Sequence, residues 1–212
     1  RRDGNREDYR NLIKMSQVMN CIHTSAGYPV EPMDLHPSIR HLQATHDMIT
    51  LSDKPPFVYS ISRPRNQDAI EMTRIARGID HETINQETSI LSVINTSTPL
   101  RYDTVMLHGI QEMSARNQGI VITPFTLAGA MAPITVAGAL VLQNAEALAG
   151  MAYTQVVKPG APVIYGGFTS NVDMRSGAPA FGTPEYWKAC LVGGQLARRY
   201  KVPYRSSNVN AS

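Results

Sequence analysis

Three histidines, at positions 36, 41 and 46, are the first residues whose type and spacing invite chemistry, as ligands of a metal ion. Five residues turn an α-helix by about 500°, so successive members point roughly 140° apart. Metal-binding pairs on a helix use spacings such as i, i+4, which this set lacks, and a surface or capping role is expected of all three. His108 falls inside a helical pattern and reads as a helix-surface or packing residue. Cys21 and Cys190 lie far apart, form no CxxC pair and are expected to be buried packing residues. No Ser-His-Asp set, HExxH or nucleophile elbow can be picked out. What remains is a series of polar stretches, each following an apolar run: Asn95-Thr96-Ser97-Thr98, Thr123-Pro124-Phe125-Thr126, the run from Tyr165 to Asp173, and Tyr204 to Asn210. They carry hydroxyls, amides and aromatic rings but few charges. Such a lining suits a small, weakly polar or cationic ligand better than a phosphate, because aromatic faces with an acid nearby hold quaternary ammonium groups. The same residue types also simply make loops turn, and composition leaves both readings open.

These stretches need elements to position them. Short β-branched runs at 56–61 (PFVYSI), 88–95 (TSILSVIN), 120–123 (IVIT), 162–165 (PVIY) and 202–205 (VPYR) predict five strands, each closed by small polar residues with Pro or Gly. Helices are expected between them. One is capped by Asn66 or Asp68 and closed by Gly78, one by Asp103 and Gly119, and a long apolar one runs over 135–157. Another starts at Thr183-Pro184-Glu185, with Trp187, Cys190, Leu191 and Gly194 on one face. The segment 168–182 reads as a long polar loop. Regular β–α alternation predicts an α/β fold with a parallel sheet. No GxGxxG or GxxxxGK[ST] follows any strand, which weakens a Rossmann sheet. Strand ends rich in small polar residues fit the active-site rim of a barrel, so the expected fold is a partial (β/α) TIM barrel of about five strands. Residues 1–52 form a helical and connector segment, with an amphipathic helix within 6–23 and a second over 37–46, and residues 53–212 the partial barrel.

Composition narrows the function classes. A net charge of +3 is too small to point to nucleic acid, and 17% charged residues argue against disorder and coiled coil. Between Asn117 and Val157 the single charge is Glu146. The apolar run 126–142 is interrupted by Pro133, diluted by Gly129 and Gly138 and followed by Gln143, Asn144 and Glu146, so a buried helix is expected rather than a membrane span. With two isolated cysteines and no targeting segment at the start, the expected setting is cytoplasmic.

The run 119–212 resembles the trimethylamine methyltransferase family. The phrases that carry the likeness are ITPFTLAGAMAPITVAGAL, NAEALAG, KPGAPVIYGGFTSNVDMRSGAPAFGTPE, GGQLARRY and PYRSSNVNAS, and SVINTSTPLRYD extends it toward the start. The resemblance implies a (β/α) barrel that passes a methyl group from trimethylamine, or from a quaternary amine of the glycine betaine type, to the cobalt of a separate corrinoid protein. Cobalamin is then supplied by that partner and not bound by this chain. The expected partners are the corrinoid protein and a small amine, with no nucleic acid and no membrane, and exposed sheet edges point to self-association. Family members are typically more than twice this length, so the chain is expected to be an interior piece.

The chemistry differs between donors. A quaternary amine departs as a neutral tertiary amine and needs no acid, whereas free trimethylamine must be protonated or otherwise activated. Trimethylamine enzymes of the family use pyrrolysine, encoded by an in-frame amber codon, expected soon after the stretch ending at Ser212. The chain end then reads either as an amber codon taken for a stop or as an arbitrary fragment boundary, and the catalytic residue is expected beyond it. By resemblance the pocket residues are Thr123, Phe125, Tyr165, Phe168, Asn171, Asp173, Ser206, Asn208 and Asn210. The aromatics would lie against methyl groups and the amides and hydroxyls would orient the substrate. Asp173 would balance a cationic amine or cap the loop around Arg175. Two other readings compete: a different barrel enzyme, such as a lyase or isomerase, and a truncated barrel with only a binding or structural role.

Overall fold

A computed structural model describes residues 2–24 and 28–206 of the chain. Its helices are α1 (Arg6–Val18), α2 (Pro37–Leu51), α3 (Arg63–Arg77), α4 (His81–Gln86), α5 (Thr104–Ala115), α6 (Val136–Val157) and α7 (Pro184–Tyr200). Its strands are β1 (Phe57–Tyr59), β2 (Leu91–Asn95), β3 (Gly119–Thr123), β4 (Phe125–Ala128), β5 (Val163–Gly166), β6 (Phe168–Val172), β7 (Pro179–Ala180) and β8 (Tyr204–Arg205).

The five runs expected as strands form one all-parallel sheet, in the order β1-β2-β3-β5-β8. Each new strand of this sheet is added on the same side of the last. A doubly wound sheet reverses that order at a switch point, so the topology is that of a (β/α) barrel arc. Among the described residues the arc does not close. Its two faces differ as a barrel wall requires. Val58, Ile94, Ile120, Ile122 and Tyr165 pack with residues of α1, α2, α3 and α5–α7. Phe57, Val93 and Val121, with Leu91 and Ile164, make a separate cluster on the other face to which no helix contributes. Alternation along each strand therefore separates an outer, helix-covered side from an inner, concave side.

Helix ends follow local chemistry. Asp103 and Thr183 cap α5 and α7 through bonds from Met106 N and Tyr186 N, as expected. Helix α3 starts earlier than expected: Ser62 is its cap, accepting from Arg65 N, while Asn66 is buried within the first turns. Pro64 explains the shift, since a proline there costs no intrahelical bond. The short helix α4, capped by Asp80, went unread because it has a single buried apolar residue, Ile84. Helix α2 runs past the expected 46 to Leu51.

Three further readings are corrected. The expected face of α7 is not its buried one. Tyr186, Ala189, Gly193 and Ala197 are buried, while Trp187 is 44% and Leu191 67% exposed. The small residues win because α7 lies so close to β8 that a Cβ at Gly193 would strike the Tyr204 hydroxyl. Cys21 is exposed and Cys190 half-buried. The polar stretch after Pro124 and the segment expected as a loop from Phe168 onward form a second sheet, with β4 parallel to β6 and β6 antiparallel to β7.

That second sheet continues the wall of the first. Ile122 pairs with Tyr165 and Phe125 with Phe168 at the same offset, so β3–β4 and β5–β6 are two long runs whose ladder is interrupted only where Pro124 has no N–H to donate. Alternation continues through the break. Helix α6 covers this outer side, and its apolar length packs against β3, β4, β5 and β6. No helix among the described residues is long and apolar enough to cross a membrane. Helices α1 and α2 join the same core through Tyr9, Ile13, Ala44 and Met48, and are tied together where Arg6 donates to buried Asp47 at 2.8 and 2.9 Å.

Candidate functional site

The inner face is layered by strand register. Tyr59, Val93, Val121 and Ile164 stand level, and above them, at the C-terminal strand ends, come Asn95, Thr123, Gly166 and Arg205. Above these again, on the same side of the continued strands, are Phe125 and Phe168, whose ring centroids are 4.9 Å apart. Phe181 stacks on Phe168 at 5.2 Å, and Tyr186 meets both edge-on. An apolar floor, a polar ring and an aromatic upper wall therefore line one concave surface, where barrels carry their sites.

Several features keep this surface in shape. Gly166 has no room for a side chain: a Cβ would collide with Thr123 Oγ1 and the Ile122 carbonyl. Thr123 is 2% exposed and among the described residues its hydroxyl has no hydrogen-bond partner; the hydroxyl of fully buried Thr126 has none there either. Glu146 of α6 is buried and holds the loop after β2. Its carboxylate accepts from Thr96 Oγ1, from Thr98 Oγ1 at 2.8 Å and from Leu100 N at 2.6 Å. Gln143 accepts from Thr169 Oγ1, and Asn144 Oδ1 accepts from the hydroxyls of Tyr165 and Tyr200, both at 3.1 Å. Side chains from the middle of α6 thus fix the outer side of the strand ends.

The residues named from the sequence divide between these sides. Thr123, Phe125 and Phe168 meet on the inner surface. Tyr165 is fully buried on the outer side, between Tyr200 and Tyr204, and burial pushes its phenol up to about 12. Asn171 accepts from Thr183 Oγ1 at 2.7 Å, next to the cap of α7. Asp173 holds its own turn: Ser176 Oγ donates to it, as does Arg175 N at 3.1 Å, and these bonds lower its pKa. Ser206 lies beside the Tyr204 side chain. Asn208 and Asn210 lie outside the described residues. His36 caps α2, His41 lies 2.9 Å from Asp68, and His46 lies 3.7 Å from Asp47. Among the described residues no group of three or more His, Cys, Asp or Glu could hold a metal ion.

Sequence reasoning places Arg205 in a polar strand-end stretch and notes Glu146 as a lone charge, but assigns no site role to either or to Phe181. Two signals were present: an arginine at the end of a short strand, and a lone acid in an otherwise uncharged helix.

A family model described as "Trimethylamine methyltransferase (MTTB)" matches residues 1–212. The chain belongs to the trimethylamine methyltransferase family. It is 37% identical over 97% of its length to a glycine betaine methyltransferase of Desulfitobacterium hafniense. It is 33% identical over 93% to a proline betaine:corrinoid methyltransferase of Eubacterium limosum, and 26% over 95% to a trimethylamine methyltransferase of Desulfitobacterium hafniense. The chain spans 43%, 41% and 40% of these three family members, less than half of each.

Proposed function

We propose that this chain carries the amine-binding wall of a methyltransferase that moves a methyl group from a quaternary or tertiary amine to the cobalt of a corrinoid protein. The observation that carries the reading is the pair Phe125–Phe168 standing above the polar ring of Asn95 and Thr123 at the strand ends, in a chain of this family. Faces of aromatic rings attract a methylated ammonium through their quadrupoles, and hydroxyl and amide groups beside them fix its orientation. The reacting methyl must point away from the rings and in line with its acceptor, so the wall acts by positioning. Cobalamin, carried by the partner, would supply the nucleophile that accepts the methyl. The inner surface offers a hydroxyl, an amide, aromatic rings and one guanidinium, a set suited to a small amine. Quaternary donors are favoured because two of the three relatives are named for betaines and are the more similar two. The free thiols of Cys21 and Cys190 fit a reducing, cytoplasmic setting.

The test is methyl transfer by the full-length protein, mixed with a corrinoid protein and reduced cobalamin and followed by the absorbance of the cobalt. Glycine betaine is expected to methylate the cobalt, and no transfer from any methylated amine would overturn the reading. Phe168→Leu keeps most of the volume but removes the ring, and is expected to raise KM for the amine about 10-fold, as loss of a desolvated cation–π contact implies.

A further inference from the structure

Arg205 is the one charged group in the polar ring of the inner surface. Its neighbour Tyr204 points outward, where its hydroxyl donates to the Cys190 carbonyl at 3.0 Å. Alternation turns Arg205 inward, level with Gly166. The guanidinium is half-buried, and among the described residues no hydrogen bond or ion pair engages it. Its electrostatic neighbours are the phenols of Tyr59, on the opposite edge strand, and Tyr186, and burial pushes its pKa down. A desolvated guanidinium without a counter-charge is costly unless an anion completes it, and its fork of donors matches a carboxylate. A second observation points the same way. The buried, unpartnered hydroxyl of Thr123 stands in the same ring, with only the bare backbone of Gly166 between the two strands. Two residues further along these strands, about 7 Å higher, come the rings of Phe125 and Phe168.

We infer that Arg205 anchors the carboxylate of a betaine, with Thr123 as a further donor, and so sets the methylated nitrogen of the same molecule against Phe125 and Phe168. The inference rests on the amine-binding reading above and names its substrate class: zwitterions in which one carbon separates a quaternary nitrogen from a carboxylate. A simple methylamine or tetraalkylammonium ion would leave the guanidinium unpaired. Arg205 therefore selects among donors, whereas the rings recognise what the donors share.

Calorimetry and methyl-transfer kinetics on the full-length protein separate this inference from the reading beneath it. Glycine betaine and tetramethylammonium, alike in the methylated nitrogen, are the two probes. Arg205→Met is expected to weaken glycine betaine binding about 100-fold and to leave tetramethylammonium within about twofold, since a site built for a polar group discriminates strongly against losing that bond. Arg205→Lys, which keeps the charge but loses the fork, is expected to weaken glycine betaine about 10-fold; it carries the test if the Met variant does not fold. Equal losses for both probes, no loss for either, or no binding of glycine betaine to the wild type would each overturn the anchor. Binding that follows the expected pattern without methyl transfer from any amine would uphold the anchor and remove the methyltransferase reading. Transfer from glycine betaine with an unchanged KM in the Met variant would do the reverse.

Discussion

Asp47 shows how a single side chain sets the acid limit of this fold. It is 2% exposed and sits between α1 and α2, where Arg6 donates to both carboxylate oxygens and Arg10 lies 3.8 Å away. Burial works against its charge, but the bonds and charges of Arg6 and Arg10 outweigh that, and its pKa lies below the ordinary carboxylate value. A carboxylate depressed on folding adds stability above its unfolded pKa of about 3.9, and that stability is lost as pH falls through the lower folded value. Asp47→Asn is expected to lower the urea stability of the chain at neutral pH by about 2 kcal/mol, the worth of bonds to a charged partner. The deficit should shrink below about pH 4, leaving a shallower acid limb. An unchanged limb in the variant would assign acid unfolding to the other depressed acids, Asp8, Glu71, Asp80, Glu112 and Asp173. At this same scale the sequence announced residue types better than their roles. Aromatic, hydroxyl and amide side chains at the strand ends were plain, but which side of a strand each faces was not. Tyr165 and Gly166 are neighbours in the chain, yet the aromatic one is buried under helices and the bare one opens onto the site. Arg205 was passed over for the same reason: its significance comes from facing away from Tyr204.

Among elements, the close seating of α7 on β8 is the most exacting. Gly193 faces the Tyr204 ring, and the Tyr204 hydroxyl reaches the Cys190 carbonyl one turn earlier on the same helix. Gly193→Ala must push α7 away or displace the ring, and is expected to cost about 1–3 kcal/mol, as overpacking does. Gly194→Ala is the control, since a Cβ there meets Tyr204 atoms only at 3.5 Å and beyond. Equal thermal midpoints for the two variants would count against this account. The five main strands were readable because each is a β-branched run ended by Pro, Gly or polar residues. The second sheet was not readable, because the same signals, Pro124 and Gly167, stand in the middle of runs that pair on both sides of them. Strand β6, Phe168–Val172, also offers little apolar alternation: its partners come from β4 and β7, and its Thr169 is satisfied by Gln143 of α6.

For the whole molecule, the two edges of the arc differ. The β1 edge is accompanied by packed structure: Tyr28 stacks on Tyr59 with centroids 5.4 Å apart and leans on Tyr9 at 5.8 Å. The β8 edge has no further strand among the described residues, and beside it α7 presents Trp187 and Leu191, four residues apart, to solvent. Apolar pairs of this kind at an open edge favour association. The 212-residue chain is expected to self-associate as its concentration rises. Trp187→Ser with Leu191→Ser should suppress this in light scattering while leaving the helical circular dichroism signal unchanged. Equal association in the double variant would place the contact elsewhere.

The unbroken offset between β3–β4 and β5–β6 also limits how the chain can vary over time. A segment between two strands ordinarily tolerates insertions. Here one residue added between Thr123 and Phe125 would shift the two-residue period. It would exchange the Phe125 face with the Thr126 face, turning a ring toward α6 and a hydroxyl toward the site. Length is therefore fixed at a place where loop-like composition would lead one to expect freedom, and natural variation in this stretch should run to substitutions, not to gaps.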